Sequence, residues 1–526
     1  MNHANKKGYC ATGLLLGMIA AYFGAICLIN FSGAPSFYDT DMYADIYYGM
    51  KVWNDQSLFP ENWVFGNQLY AFSAPVLAGL FYGLVGRPHI AMALSCTVMS
   101  LLLFWSFHWM LQPVMKNRDS RLLTILMFMS LSLFCGKAIV GNIGWSLYFT
   151  MCSYYSGYII AAFLAFGCYL REDIFSSATG LTLTALTCIL SFCSGIQSIR
   201  QTVVMVAPLL MAEVLRILWK LSRSQWNNPG EKKKTLLVGL IAAFNFAGLI
   251  AVRLMEINQV EILGKIEFVP LSQLAGSVKS SIIMVCTLLL NDSAVSLPVM
   301  GLIFLICAVG ALLILKDGRK NNAGFVLLIL FAFSVLVIAA IDTLTTMLFA
   351  SRYYFMLFPL MACLVGYCYE SAGTVGKALL LMLSVGVVVL SSAMELGDPC
   401  IQALNAGQDS SYEVSDYLVE NGYDIIYSEW DCWGQRVAMA SEGEITASFW
   451  LDMDKPFVPV DYLSDPAVVA AEPDGSAYLF QGDKALAFGV EAAEGRGVEL
   501  KVVKYFPESD VYVCTASRNL MVLFDE

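Results

Sequence analysis

The apolar positions of this chain fall into blocks too long and too continuous for the alternation of a globular sheet or the one-sided stripe of a surface helix. Residues 9 to 31 are almost wholly apolar, enough to cross a hydrocarbon core of ~30 Å. Similar blocks predict crossings near 10 to 30, 89 to 112, 121 to 136, 154 to 170, 178 to 196, 203 to 219, 235 to 252, 297 to 315, 323 to 341, 353 to 370 and 378 to 394, eleven in all. The stretch AFSAPVLAGLFYGLVG, 71 to 86, is apolar but short and carries Pro75 and three glycines. It predicts a juxtamembrane or re-entrant helix on the outer face, its backbone covered by protein, and Val278 to Leu290 reads the same way.

Beyond residue 394 the pattern changes. SYEVSDYLVENG, 411 to 422, has the spacing of an amphipathic helix stopped by Gly422. DIIYSEW, EITASFW, AYLFQ, ALAFGV, VELKVVKYF and VYVCTA alternate as strands do. The predicted fold class is therefore a polytopic α-helical membrane protein with about eleven transmembrane helices, residues 1–394, whose first outer loop covers 31–88. A soluble α/β domain follows at 395–526.

Composition agrees with that division. The 526 residues are 58% hydrophobic and 14% charged, against about 25% charged in a soluble domain, and the mean hydropathy is +0.65. The net charge of −11 hides two parts: residues 395–526 hold 25 acidic and 7 basic side chains, and the remainder is net positive by 7. Lys6 and Lys7, KNR at 116 to 118 with Arg121, RSQWNNPGEKKK at 223 to 234 and KDGRK at 316 to 320 mark cytoplasmic segments. An odd number of crossings from a cytoplasmic N-terminus places the acidic C-terminal domain outside. The first apolar run is longer than a signal-peptide core of about 7–15 residues, so it reads as an anchor. No nucleic-acid motif is present, and the acidic domain argues against such a partner.

Most of the fifteen cysteines lie singly in apolar spans, where they act as small hydrophobes. Cys400, Cys432 and Cys514 are in the polar tail, where one bridge or three free thiols both fit. The three histidines form no cluster; His89 and His108 read as interfacial or core residues.

The chemistry concentrates just past the first span, in FYDTDMYADIYYG, 37 to 49, which brings Asp39, Asp41 and Asp45 to the outer membrane surface. Asp41 and Asp45 share one helical face. Lys51, Glu61, Lys137, Arg200, Arg253, Lys265, Asp342 and Arg352 also fall at the outer boundary under this topology. A carboxylate accepts a proton from an attacking hydroxyl or amide, and Arg or Lys neutralises a phosphate leaving group. Cations at span ends also snorkel to headgroups. Tyr38, Tyr43, Tyr47, Tyr48, Trp53, Trp63 and Tyr70 suit an interfacial belt first, and stacking on sugar rings second.

The order of apolar span, the loop DTDMYADIYYGMKVWNDQSLFPENW, an apolar juxtamembrane helix ending in LVGRPH and a serial array of spans resembles the GT-C superfamily of integral membrane glycosyltransferases. That resemblance implies a catalytic Asp in the first extracytoplasmic loop, a polyprenyl-phosphate-linked sugar donor and an extracytoplasmic C-terminal domain. It assigns the catalytic carboxylate to Asp41, with Asp39 second. SGIQSIRQTVVMVAPLL and SRYYFMLFPL resemble segments that place Arg200 and Arg352 at the substrate, with Lys137 and Tyr43 as further binding candidates. A divalent metal, Mg or Mn, would fall on Asp39 and Asp41; whether one assists stays open. The tail's WDCW at 430 to 433 is not the WWD motif of oligosaccharyltransferases, which argues against protein N-glycosylation; two Trp and two acids at EWDCW suit a buried strand end or a sugar contact.

The expected activity is transfer of a sugar from a polyprenyl-phosphate-linked donor to a glycan, lipid or protein acceptor of the cell envelope. Two other classes compete. A transporter or flippase of lipid-linked sugars predicts inverted repeats and mid-membrane charges, whereas no internal repeat is evident and charge lies near span ends. A non-catalytic scaffold for envelope assembly would keep the fold without the chemistry.

Overall fold

The computed structural model of the chain describes residues 3–32, 40–66, 68–135, 143–150, 155–222, 229–260, 267–290, 296–317, 322–347, 351–430, 433–460 and 464–522. Helix α1 (His3–Phe31) leads to α2 (Thr40–Asn54) and α3 (Ala74–Val85), which lie against α4 (Pro88–Leu111). Then come α5 (Arg118–Cys135), α6 (Ile143–Tyr148), α7 (Ser156–Leu170) and α8 (Ala178–Gln197). The short α9 (Ile199–Gln201) continues through a π-helical turn, Thr202–Val206, into α10 (Ala207–Ser222). The membrane part closes with α11 (Pro229–Leu254), α12 (Leu274–Leu289), α13 (Ser296–Asp317), α14 (Asn322–Leu344), α15 (Leu357–Ser371), α16 (Thr374–Glu395) and α17 (Gly397–Leu404).

Among the described residues nine helices are long and apolar enough to cross a membrane: α1, α4, α8, the α9–α10 helix, α11, α13, α14, α15 with its leading turn, and α16. The crossings expected near 121 to 136 and 154 to 170 correspond to α5, whose first turns carry Arg118, Asp119 and Arg121, and to the shorter α7. Every residue of α7 is buried. A helix that is apolar all round belongs at the centre of a bundle, and α7 sits between α4, α8 and α14. The expected short helices at 71 to 86 and 278 to 290 are α3, of 12 residues, and α12, of 16.

The glycines of α3 have a packing reason. A Cβ on Gly79 would lie 2.7 Å from the Gly49 carbonyl oxygen, so the two glycines let α2 and α3 cross backbone to backbone. This contact fixes α2 as a rigid arm on the bundle rather than a loop.

The C-terminal part adds α18 (Ser410–Glu420), β1 (Ile425–Glu429), α19 (Trp433–Ala440), β2 (Thr446–Trp450), α20 (Pro466–Val469), β3 (Ser476–Gln481), α21 (Gly482–Glu494), β4 (Leu500–Phe506) and β5 (Val511–Ala516). The sheet order is β2-β1-β3-β5-β4, with β2, β1 and β3 parallel and β5 and β4 antiparallel. Alternation sends Ile426, Ala477 and Leu479 to a core with α18 and α19, and Tyr427, Tyr478 and Phe480 to a second core with α21. With both faces covered, the parallel strands read as continuous apolar runs.

Five expected strands are present, but ALAFGV lies in α21. Ala485, Gly489 and Ala493, four apart, are its buried residues; the helical period was masked by a short apolar run that also fits alternation. The aromatic belt is also corrected. Tyr48, Trp63 and Tyr70 are buried together with Phe65 in a small core between α2 and the following loop, whereas Trp53 stays 38% exposed. Cys400 and Cys514 are free thiols, and Cys432 lies outside the described residues. His108 accepts a hydrogen bond from Arg121 Nε at 3.2 Å, and His89 is buried 4.0 Å from Glu442. Trp430 directly follows β1 and is half-buried, and Trp433 is buried at the start of α19.

Candidate functional site

Asp41 stands in the first turn of α2, where the helix N-terminus favours negative charge. It is half-buried, whereas Asp45, one turn on, is 2% exposed. The loop between α2 and α3 then returns over this acidic face and is pinned at several points. Leu69 N donates to the Gln197 carbonyl at 3.1 Å and Phe72 N to Gln197 Oε1 at 2.7 Å, both at the end of α8. Phe65 pairs with the segment after α11 through Phe65 N to Asn258 O, 2.8 Å, and Val260 N to Phe65 O, 2.9 Å.

The pinned loop sets Gln68 and Tyr70 over the acidic face. The Tyr70 hydroxyl feels the charges of Asp45 and Asp41. Burial, with the fields of Asp45 and Asp41, pushes this phenol well above its ordinary value. The Tyr48 phenol is raised by burial and then by Asp45, and its ring lies 4.9 Å from that of Tyr70.

Cations approach from the other side. At the turn between α8 and α9, Ser198 Oγ accepts from Arg200 N at 3.2 Å and fixes where the arginine leaves the backbone. Arg200 Nη1 reaches Gln68 Oε1 at 3.4 Å and Nη2 reaches the Tyr353 hydroxyl at 3.1 Å. Its guanidinium carbon lies 4.8 Å from the centre of the Tyr353 ring. Arg352 and Tyr353 belong to the short 3-10 turn Ser351–Tyr354 before α15, held by a hydrogen bond from Tyr354 to Asp342 Oδ2 at 2.8 Å.

The two halves meet at Tyr155. Its hydroxyl lies in the positive fields of Arg200 and Arg352 and in the negative field of Asp41. Its ring stacks on Phe355 at 4.7 Å, and the Phe355 carbonyl accepts from the Tyr148 hydroxyl at 2.5 Å. Tyr158, one turn into α7, donates to Gln68 Oε1 at 3.2 Å. A carboxylate, two guanidiniums and four phenols thus converge where α2, α7, α9 and the turn before α15 come together. This is an arrangement for accepting a proton at one end and holding a phosphate at the other.

Of the sequence candidates, Asp41, Arg200 and Arg352 are brought together. Tyr43 is 1% exposed and packs into the core of the membrane part. Asp39 and Lys137 lie outside the described residues. Among the described residues no group of three His, Cys, Asp or Glu side chains is arranged to hold a metal ion. Sequence reasoning missed Gln68, Tyr155, Tyr158 and Tyr353 and did not carry Asp45 or Tyr70 into the site. The faint signals were the tyrosines opening the apolar run YYSGYIIAAF and the pair after Arg352 in SRYYF.

No family model matches the chain, and no curated protein matches it. Solved structures do match. The crystal structure of ArnT from Cupriavidus metallidurans in the apo state aligns with a TM-score of 0.56 at 12% identity, covering 98% of this chain and 99% of that one. The crystal structure of the same protein bound to undecaprenyl phosphate aligns with a TM-score of 0.54, again at 12% identity, covering 96% and 98%. With the likeness running through nearly the whole of both chains, from the first span to the C-terminal sheet, the architecture built up here has the fold of that ArnT structure, with many helices long and apolar enough to cross a membrane.

Proposed function

We propose that this protein is a membrane glycosyltransferase that moves a sugar from a polyprenyl-phosphate-linked donor to a cell-envelope acceptor on the extracytoplasmic face. The observation that carries the reading is Arg200, hydrogen-bonded to Gln68 Oε1 at 3.4 Å and to the Tyr353 hydroxyl at 3.1 Å, beside Arg352 and next to a Tyr155 hydroxyl that also lies in the field of Asp41. The crystallised neighbour bound to undecaprenyl phosphate supports the donor class. In this reading the N-terminus is cytoplasmic and the C-terminal domain, residues 395–526, is outside.

The chemistry is a single displacement. Asp41 takes the proton of the acceptor hydroxyl or amide as the new bond forms at the anomeric carbon. The bond from that carbon to the phosphate oxygen breaks with its electron pair, leaving polyprenyl phosphate against Arg200 and Arg352. Burial strengthens that charge pairing, because the surrounding phenols and rings exclude water. Asp39 serves as a second carboxylate and Lys137 as a further cation.

The test compares cells with and without the protein. Loss of the protein should leave polyprenyl-linked sugar accumulated on the outer leaflet and a sugar missing from an envelope glycan, lipid or protein. Restoring the parental chain should reverse both, and Asp41→Asn should not. Accumulation on the cytoplasmic leaflet instead would point to a flippase, and an unchanged envelope with unchanged lipid-linked sugar would sink the transferase reading.

A further inference from the structure

The α9–α10 helix, Ile199–Ser222, is a span of 24 residues. At ~1.5 Å of rise per residue it is long enough to cross a bilayer, so Arg200 at its start and Arg216 and Lys220 near its end lie toward opposite membrane surfaces. The far end is strongly basic: residues 216–234 hold six Lys or Arg and one acidic residue.

The cations at that end are built on a buried carboxylate. Glu213 of α10, 3% exposed, accepts from Arg216 Nε at 2.7 Å and Nη2 at 2.6 Å, from the Tyr169 hydroxyl at 2.9 Å and from Thr235 Oγ1 at 2.5 Å. These donors tie the end of α7 and the start of α11 to α10, and Arg216 neutralises the one buried charge. The lysines of α11 remain in excess. Lys234 Nζ lies 5.7 Å from the centre of the Tyr169 ring, and Lys232 and Lys233 are exposed. Because α11 begins at Pro229, Lys232 closes its first turn, where the helix dipole disfavours a cation and favours an anion beside it.

Toward the middle of the span the same surface turns apolar. Leu215 and Trp219 stand one turn apart on a face of α10, and Leu236 stands one turn inward of Lys232 on α11; all three are exposed. A ligand that fits both zones carries an anionic head and hydrocarbon chains. A soluble anion would leave the apolar zone unused.

We infer that this end of α10 and α11 binds an anionic phospholipid, with Lys232 and Lys233 on the head phosphate and the chains along Trp219, Leu215 and Leu236. Basic clusters between spans recognise such headgroups through charge. Glu213 does not touch the lipid; it fixes Arg216 and joins the helices that present the lysines. The site stands at the other end of the span from Arg200 and does not rest on the transferase reading.

The test uses the full-length protein in detergent micelles, titrated with phosphatidylglycerol carrying brominated chains. Brominated phosphatidylcholine is the zwitterionic counterpart, and inorganic phosphate supplies the head chemistry alone. Bromine quenches indole fluorescence on contact, and the signal of Trp219 is the difference between the parental chain and Trp219→Phe. Phosphatidylglycerol should quench that signal at a concentration about tenfold or more below phosphatidylcholine, the scale of two cations at an anionic headgroup, and salt should narrow the gap. Lys232→Gln and Lys233→Gln, each alone, should weaken phosphatidylglycerol binding about fivefold, and the double change to Arg should keep it. Lys316→Gln, at the end of α13, should leave it unchanged.

Equal quenching by the two lipids would overturn the site, as would a preference that survives loss of both lysines. A loss of the same size in Lys316→Gln would assign the preference to overall charge and likewise overturn it. Competition by inorganic phosphate that matches phosphatidylglycerol at equal concentration would give the lysines to a soluble anion and overturn the lipid assignment.

Discussion

Lys51 Nζ lies 2.9 Å from Asp465 Oδ2, joining the helix that carries Asp41 to the sheet-bearing C-terminal part. Lys51 also reaches Asp55 at 3.5 Å. Nearby, Val64 N donates to Ser464 O at 3.1 Å, and Arg87 pairs with Glu442 at 2.9 Å. The C-terminal part is therefore seated on α2 and the following loop.

Removing this ion pair should loosen the seat. Lys51→Met is expected to cost about 1 kcal/mol or less, the scale of a partly exposed pair, read as a small fall in Tm. Burial opposes the charge of Lys51, but the hydrogen bonds and fields of Asp465 and Asp55 outweigh it and raise its ionisation above the ordinary value. A raised lysine stabilises the fold fully below its unfolded value, about 10.5. The difference in Tm between parent and Lys51→Met should thus be constant near neutral pH and shrink as pH rises past that value. A difference that grows with alkalinity would refute the assignment.

Asp41→Asn keeps the shape of the side chain and removes the proton acceptor. Loss of general-base assistance is typically ~10² to 10⁴ in rate, so transfer should fall by that order with membrane insertion and Tm unchanged. A parental rate would place the base elsewhere.

Arg200→Lys keeps the charge but loses the planar fork that reaches Gln68 and Tyr353 together. Charge-assisted hydrogen bonds are worth about 1.5–3 kcal/mol, so the Kd for polyprenyl phosphate should rise about tenfold or more. Titration of vesicle-reconstituted protein measures it, and an unchanged Kd would remove Arg200 from the phosphate end.

Gly79→Val puts a branched side chain where even a Cβ meets the Gly49 carbonyl oxygen at 2.7 Å and Val52 at 3.1 Å. Overpacking of this kind costs about 1–3 kcal/mol. Because α2 carries the acidic turn, activity should fall with Tm, and a variant that melts like the parent would show that the close crossing is not required.

Single cysteines at Asn62 and Arg87, both exposed on either side of α3, should react with an impermeant thiol reagent from outside intact cells, as should one at Asp474. Reaction at Asn62 alone would make α3 a crossing. Protection of Asp474 would reverse the proposed orientation of the C-terminal part.

The sequence by itself determined the elements whose signal is local. Apolar blocks such as 297 to 315 and 323 to 341 must be helices in lipid, because a backbone without water has to satisfy its own hydrogen bonds. The alternating runs of β1 to β5 and the carboxylates of FYDTDMYADIYYG were legible for the same local reasons. Tertiary structure decided the rest. The period of α21 was ambiguous until its Ala485, Gly489 and Ala493 face had a sheet to pack on. The rings after the first span became a core only when the loop to α3 folded back over α2. Gln68, Tyr155 and Tyr353 carry no motif, and they join the site because α7, α9 and the turn before α15, far apart in the chain, converge beside α2. Spacing along a sequence records which residues share a face of one element; which faces meet across the bundle depends on packing between segments as much as 369 residues apart, as between Tyr22 and Ser391.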